Sequence, residues 1–130
     1  MTVVTVLVVA LCGGLGAAIR LALDGLIRGR SARSARLSTF PVGTLVINVT
    51  GSFILGLLAG LAQANAAPAL LVSALGTGLM GGYTTFSTAS FETVRLLQGR
   101  RWVAAALNGL GMLVIAVAAG VLGIVVGRLA

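Results

Sequence analysis

Apolar residues fill this chain in four long blocks, and the polar residues collect in the short gaps between them. The blocks cover about residues 3–27, 42–62, 69–97 and 103–126. Each is long enough for a helix crossing a hydrocarbon core, which takes about 20 predominantly apolar residues. The pattern therefore predicts an all-α membrane protein of four transmembrane helices, one unit over residues 1–130. Gaps between the blocks are short. An arginine- and serine-rich loop runs from Arg28 to Arg36, and Phe40-Pro41 opens the second span. Proline is tolerated at a helix start, where its missing N–H has no partner to lose. Gln63 to Pro68 forms an uncharged turn, and Gly99-Arg100-Arg101 forms the next.

Composition agrees with this reading. Of 130 residues, 58% are hydrophobic and only 8% charged, far from the balance of a soluble domain. Four spans use up the chain and leave no room for a soluble catalytic domain. With no histidine, one cysteine (Cys12) and two acids, an internal disulfide, a zinc or haem site and an enzyme's nucleophile–base pair are not expected. Met1 to Leu11 lacks a positive leader region, so the first span is expected to be retained.

Charge adds an orientation. The net charge is +7, with nine arginines against Asp24 and Glu92. These arginines flank apolar blocks and make no basic face, so they argue for topology and against nucleic acid. Arg28, Arg30, Arg33 and Arg36 follow the first span, and Arg95, Arg100 and Arg101 follow the third. Four spans put those two loops on one side, opposite only Arg128. Arginine-rich loops stay in the cytoplasm, so both termini are expected outside it. Arg20 falls within the first span. It stands four residues before Asp24, which suits either an ion pair along the helix or recruitment of an anion to a pore mouth.

The third block carries the most unusual composition. Between Gly76 and Glu92 it holds four glycines, then Thr84, Thr85, Ser87, Thr88 and Ser90. An unbroken helix has little use for such a run. A break near Gly81-Gly82 would expose carbonyls and hydroxyls at bilayer depth, an arrangement tolerated only in a protein-lined or watery site and often used for ions. The plainer alternative is a packing face whose hydroxyls bond back to their own helix. In the second span Thr44, Asn48 and Ser52 form an i, i+4, i+8 stripe. The Asn48 amide needs partners inside the membrane, as interhelical glue or as a pore-lining donor. Small residues also repeat at four-residue spacing, as Ser52, Gly56 and Gly60 in span two and Gly123 and Gly127 in span four. They call for close helix approach, within the bundle or across a dimer.

Three segments now carry a resemblance. Gly13-Gly-Leu-Gly-Ala-Ala-Ile-Arg20, Gly43-Thr-Leu-Val-Ile-Asn-Val-Thr-Gly-Ser-Phe53 and Gly81-Gly-Tyr-Thr-Thr-Phe-Ser-Thr88 are similar, in order and spacing, to motifs of the Fluc/CrcB fluoride channels. The resemblance implies an antiparallel dimer of four-helix subunits in the bacterial plasma membrane. Such a dimer exports fluoride passively through two pores and holds a structural sodium ion (Na+) at its interface. Carried to this sequence, it makes Asn48 and Thr44 pore residues, Phe86 a pore phenylalanine, and Ser87 and Thr88 hydroxyls near the ion path. The carbonyls of Gly81 and Thr84 would hold sodium, and Arg20 and Glu92 match structural polar positions. Three positions depart from the family. Ala89 stands where a second phenylalanine is usual, and Asn108 and Met112 align with a tyrosine and a polar residue of the fourth span. The arginine imbalance commits the chain to one orientation, so the expected partner is a second four-span subunit of the same family, in a heterodimer in preference to a homodimer. Two other readings compete: a non-conducting structural partner subunit, and a small four-span multidrug exporter. The exporter needs a carboxylate deep in the first span, and none precedes Asp24.

Overall fold

A computed structural model describes residues 2–31, 33 and 40–130. Every element among them is helical. Helix α1 is Val3–Ser31 and α2 is Val42–Gln63. The third block is divided into α3, residues 69–83, and α4, Phe86–Gln98. Helix α5, Trp102–Leu129, completes the bundle. Four helical stretches are thus long and apolar enough to cross a membrane, the third with a break inside it. The chain is a multi-pass membrane protein.

The first helix outruns its apolar block. Arg28 and Arg30 lie in its last turn, where cations face the negative end of the helix dipole. Arg36 lies outside the described residues. The two short turns share one stop signal. Asn65 and Arg100 adopt left-handed backbone, φ 54° and 56°. In each turn the next N–H reaches back over the helix end, Ala66 to the Leu61 carbonyl and Arg101 to that of Leu96. These are the 6→1 bonds of a Schellman stop. Pro68 then starts α3 from an extended conformation, φ −61° and ψ 140°.

Packing follows the glycines. A Cβ on Gly56 would run into the carbonyl of Gly120, one on Gly123 into that of Phe53, and one on Gly127 into that of Leu57. The small-residue stripes of spans two and four therefore face each other within the chain, which brings the α2 and α5 backbones together. A second close approach joins α1 to α3, where a Cβ on Gly16 or Gly82 would meet the carbonyl of Leu79 or Gly13. Between them sits a small core of Ile47, Met80 and Tyr83, with Leu23 and Leu79 packed against it. Large apolar side chains such as Leu7, Leu11, Leu113 and Val114 stay exposed, as expected when the solvent is lipid.

Two stretches depart from α-helical hydrogen bonding. Ser73–Met80 in α3 and Leu107–Gly111 in α5 are π-helical, a widened form that recurs at functional sites.

Candidate ion site at the broken helix

The helix break is built by an amide from another helix. Thr84 and Thr85 are extended, at ψ 160° and 121°. Asn48 on α2 grips this backbone from both sides. Its Oδ1 accepts from the Thr85 N–H at 2.8 Å, and its Nδ2 donates to the Thr85 carbonyl at 2.9 Å. In a continuous helix the Thr85 N–H would close onto the Gly81 carbonyl. Asn48 takes that donor, so the Gly81 carbonyl loses its helical partner. The break expected near Gly81-Gly82 therefore lies three residues later. Gly81 and Gly82 are helical. Gly82 serves close packing on α1, and a Cβ on Gly81 would meet nothing within 4 Å.

Local hydroxyls finish the restart. The Thr85 side chain caps α4 by accepting from the Thr88 N–H at 3.3 Å, and donates to the Thr88 hydroxyl at 3.0 Å. Ser87 Oγ lies 3.4 Å from Thr85 Oγ1. On the other side of the break, the Thr84 hydroxyl bonds back to the Met80 carbonyl, and the Tyr83 hydroxyl meets Thr50 at 3.0 Å. Phe86, the first residue of α4, is 87% exposed. Thr50, Thr77, Gly81 and Ser87 are exposed as well. A polar strip with one bare ring thus runs along the outside of the chain beside the break.

The predicted stripe on α2 meets a different neighbour at each step. Thr44, 1% exposed, adjoins Glu92 of α4. Asn48 holds the break. The Ser52 carbonyl lies at the glycine seam, 3.5 Å from where a Gly120 Cβ would stand. The second N–H of Asn48 points at the sulfur of Met112 on α5, 3.2 Å away.

The expected Arg20–Asp24 pair is replaced. Asp24 binds Arg28 at 2.8 Å, and Arg28 also reaches Glu92 at 2.9 Å. Arg28 lies four residues after Asp24, and an acid preceding its base by one turn is the better arrangement. Arg28 also gains a second carboxylate there. Arg20 turns to the Gly82 carbonyl, 3.4 Å from its Nε, and so ties α1 to α3. Arg20 and Glu92 both have structural partners. Thr85, Arg28 and the Tyr83–Thr50 contact were missing from the candidate residues. Thr85 had a local signal, since a threonine before an apolar run marks an N-cap. Arg28 had one too, its place four residues after Asp24, while the Tyr83–Thr50 contact had none.

The three positions that depart from the family motif lie close together. Ala89 is 9% exposed and Asn108 1%. Asn108 Nδ2 donates to the Ala89 carbonyl at 3.2 Å and to the Thr93 hydroxyl at 2.9 Å, while its Oδ1 is buried without a partner. Met112 follows one turn later on α5.

Comparison with known proteins points one way. Residues 7–124 match the family model described as CrcB-like protein, Camphor Resistance (CrcB). The fluoride-specific ion channel FluC 1 of Leifsonia xyli is 53% identical over the whole chain, covering 91% of that relative. FluC 2 of Mycobacterium tuberculosis is 46% identical over 88% of the chain and 84% of the relative. FluC 2 of Cutibacterium acnes is 44% identical over 95% and 97%. With four spans, a broken third helix and a family match along nearly its full length, the chain belongs to the CrcB family of membrane proteins.

Proposed function

We propose that this chain is a subunit of a fluoride-specific channel in the bacterial plasma membrane, lowering cytoplasmic fluoride by passive export. Relatives bearing that name support it at up to 53% identity over all 130 residues. The observation that carries the reading to particular atoms is Asn48. Deep in the second span, it keeps one amide N–H that no backbone group uses. Fluoride is small and strongly hydrated, so a pore has to replace its water with donors. The Asn48 amide and the hydroxyls of Thr44, Ser87 and Thr88 are of that kind. The edge of the Phe86 ring carries partial positive charge and can face an anion without holding it as tightly as a full charge would.

The exposed strip supports an antiparallel dimer. Irregular backbone and hydroxyls at bilayer depth are tolerated only against protein or water, so the Gly81 carbonyl and the Ser87 hydroxyl need a cover that lipid does not supply. A second four-span subunit of the same family, inverted, is that cover. Sodium fits the same place. The Gly81 carbonyl, freed by Asn48, and that of Thr84 in the extended link are hard oxygen donors of the kind sodium prefers. When bound, the ion would supply a fixed positive charge between the subunits.

Changing Asn48 to Asp tests the reading. The variant keeps an acceptor for the Thr85 N–H, loses the donor to the Thr85 carbonyl, and puts a negative charge where the anion would be bound. The expected result is loss of fluoride efflux from liposomes holding the assembled channel, with assembly intact by crosslinking. Parental efflux from a correctly assembled variant would make Asn48 a purely structural clamp. The alternative, a partner subunit that supports conduction without carrying it, draws on Ala89 and Met112. It requires that this change leave efflux of the assembled pair untouched.

A further inference from the structure

We infer that Met112 sets the rate of anion passage along this chain's own wall, acting as a movable stopper on Asn48. The inference rests on the reading of Asn48 as an anion donor. Of the acceptor and two N–H donors on that side chain, Oδ1 and one N–H are committed to the backbone of Thr85. Both hold the extended link at the break. The remaining N–H is directed at the Met112 sulfur, 3.2 Å away. A thioether is a weak acceptor, so this donor is poorly satisfied and an anion would take it readily. Yet Met112 is only 4% exposed. It fills the ground in front of the amide, and an anion reaches the donor only after the side chain has swung aside. Methionine suits that motion, being unbranched with three rotatable bonds.

The surroundings hold the stopper in place. Met112 directly follows the π-helical turn Leu107–Gly111. One turn before it, Asn108 is pinned to the Ala89 carbonyl and the Thr93 hydroxyl of α4. That anchor fixes the α5 face which presents the thioether to Asn48. Ala89, Asn108 and Met112, where α4 meets α5, are all buried within this chain, at 9%, 1% and 4% exposure.

The test uses cells that carry the gene, changed in place so that whatever partner exists is present. Membrane vesicles from them are loaded with fluoride, and its release is followed with a fluoride electrode. A strain lacking the gene sets the zero. Met112→Ala is expected to release fluoride roughly three- to tenfold faster than the parent, the range for removing one modest competing hydrogen bond. Met112→Leu keeps the bulk without the free swing and is expected at or below the parental rate. Adding Asn48→Asp to Met112→Ala should abolish the gain. If Met112→Ala does not accumulate in the membrane, Met112→Cys serves as the second small variant with the same expectation. Release no faster than the parent from the small variant, or equal acceleration by Met112→Leu, overturns the inference. If Asn48→Asp alone still abolishes release, the Asn48 reading survives that result. A gain that persists in the double variant overturns both.

Discussion

Asn48 shows how one residue can serve both of the roles its chemistry allows. A carboxamide has one acceptor group and two N–H donors. Here the acceptor and one donor hold Thr85, and the other donor remains for the site. This accounting also revises what Gly81 does. Its φ of −61° is ordinary helix, so glycine is not required there by backbone conformation. Nor is it required by packing within the chain, since its Cβ position is open. What remains is access from outside. Gly81→Val is therefore expected to leave the helical content of the chain unchanged while blocking close approach to the carbonyl. Thermal unfolding of the assembled protein, in sodium against N-methylglucamine, checks this. At sodium about a hundredfold above its Kd the parent should gain about 2.7 kcal/mol, and the variant should not respond. A parent indifferent to sodium would remove the ion from the picture.

Elements in this bundle are matched by what they lack. The α2–α5 and α1–α3 pairs approach at glycines, and a methyl group is enough to separate them. Gly123→Ala drives a Cβ into the Phe53 carbonyl and close to the Leu57 N–H. The change is expected to cost about 1–3 kcal/mol. Gly25→Ala, where a Cβ meets nothing within 4 Å, should be neutral or stabilise the helix by up to about 1 kcal/mol. Denaturant titration in detergent separates the two, and equal effects would mean that the seam is loose. Broken and widened helices were unevenly legible in advance. The glycine and hydroxyl run announced a break in the third span. Its position was decided elsewhere, by where Asn48 of α2 meets the chain. The π-helical turns had no local signal, since an i→i−5 bond costs the sequence nothing distinctive.

At the scale of the whole molecule, orientation and assembly are linked. Seven arginines at or beside the first and third connections, against one at the C-terminal end, support our proposal of a single topology with both termini outside. On that proposal, an inverted partner would come from a different gene. With Cys12 replaced, cysteines at Ala66 and Gln98, both exposed, report the two sides. A membrane-impermeant reagent applied to intact cells should label position 66 and leave 98 untouched. This subunit reconstituted alone should pass no fluoride. Labelling at both positions, together with efflux from the lone subunit, would favour a homodimer inserted both ways.

By itself the sequence determined the four spans, the charged side of the bundle, the presence of a break in the third span and the family. Those properties follow from local quantities: apolar length, the placement of arginines, and a run of glycine and hydroxyl residues whose backbone has to be satisfied somehow. Only the tertiary structure decided that the glycine stripes face each other within the chain, that Asp24 pairs with Arg28, and that the break lies at Thr84 and Thr85. It alone set Met112 against the last donor of Asn48. Each of these depends on which of several possible partners the packed helices bring nearest, and with lipid offering no hydrophobic drive between helices, that packing is set by the closest fit of backbone to backbone.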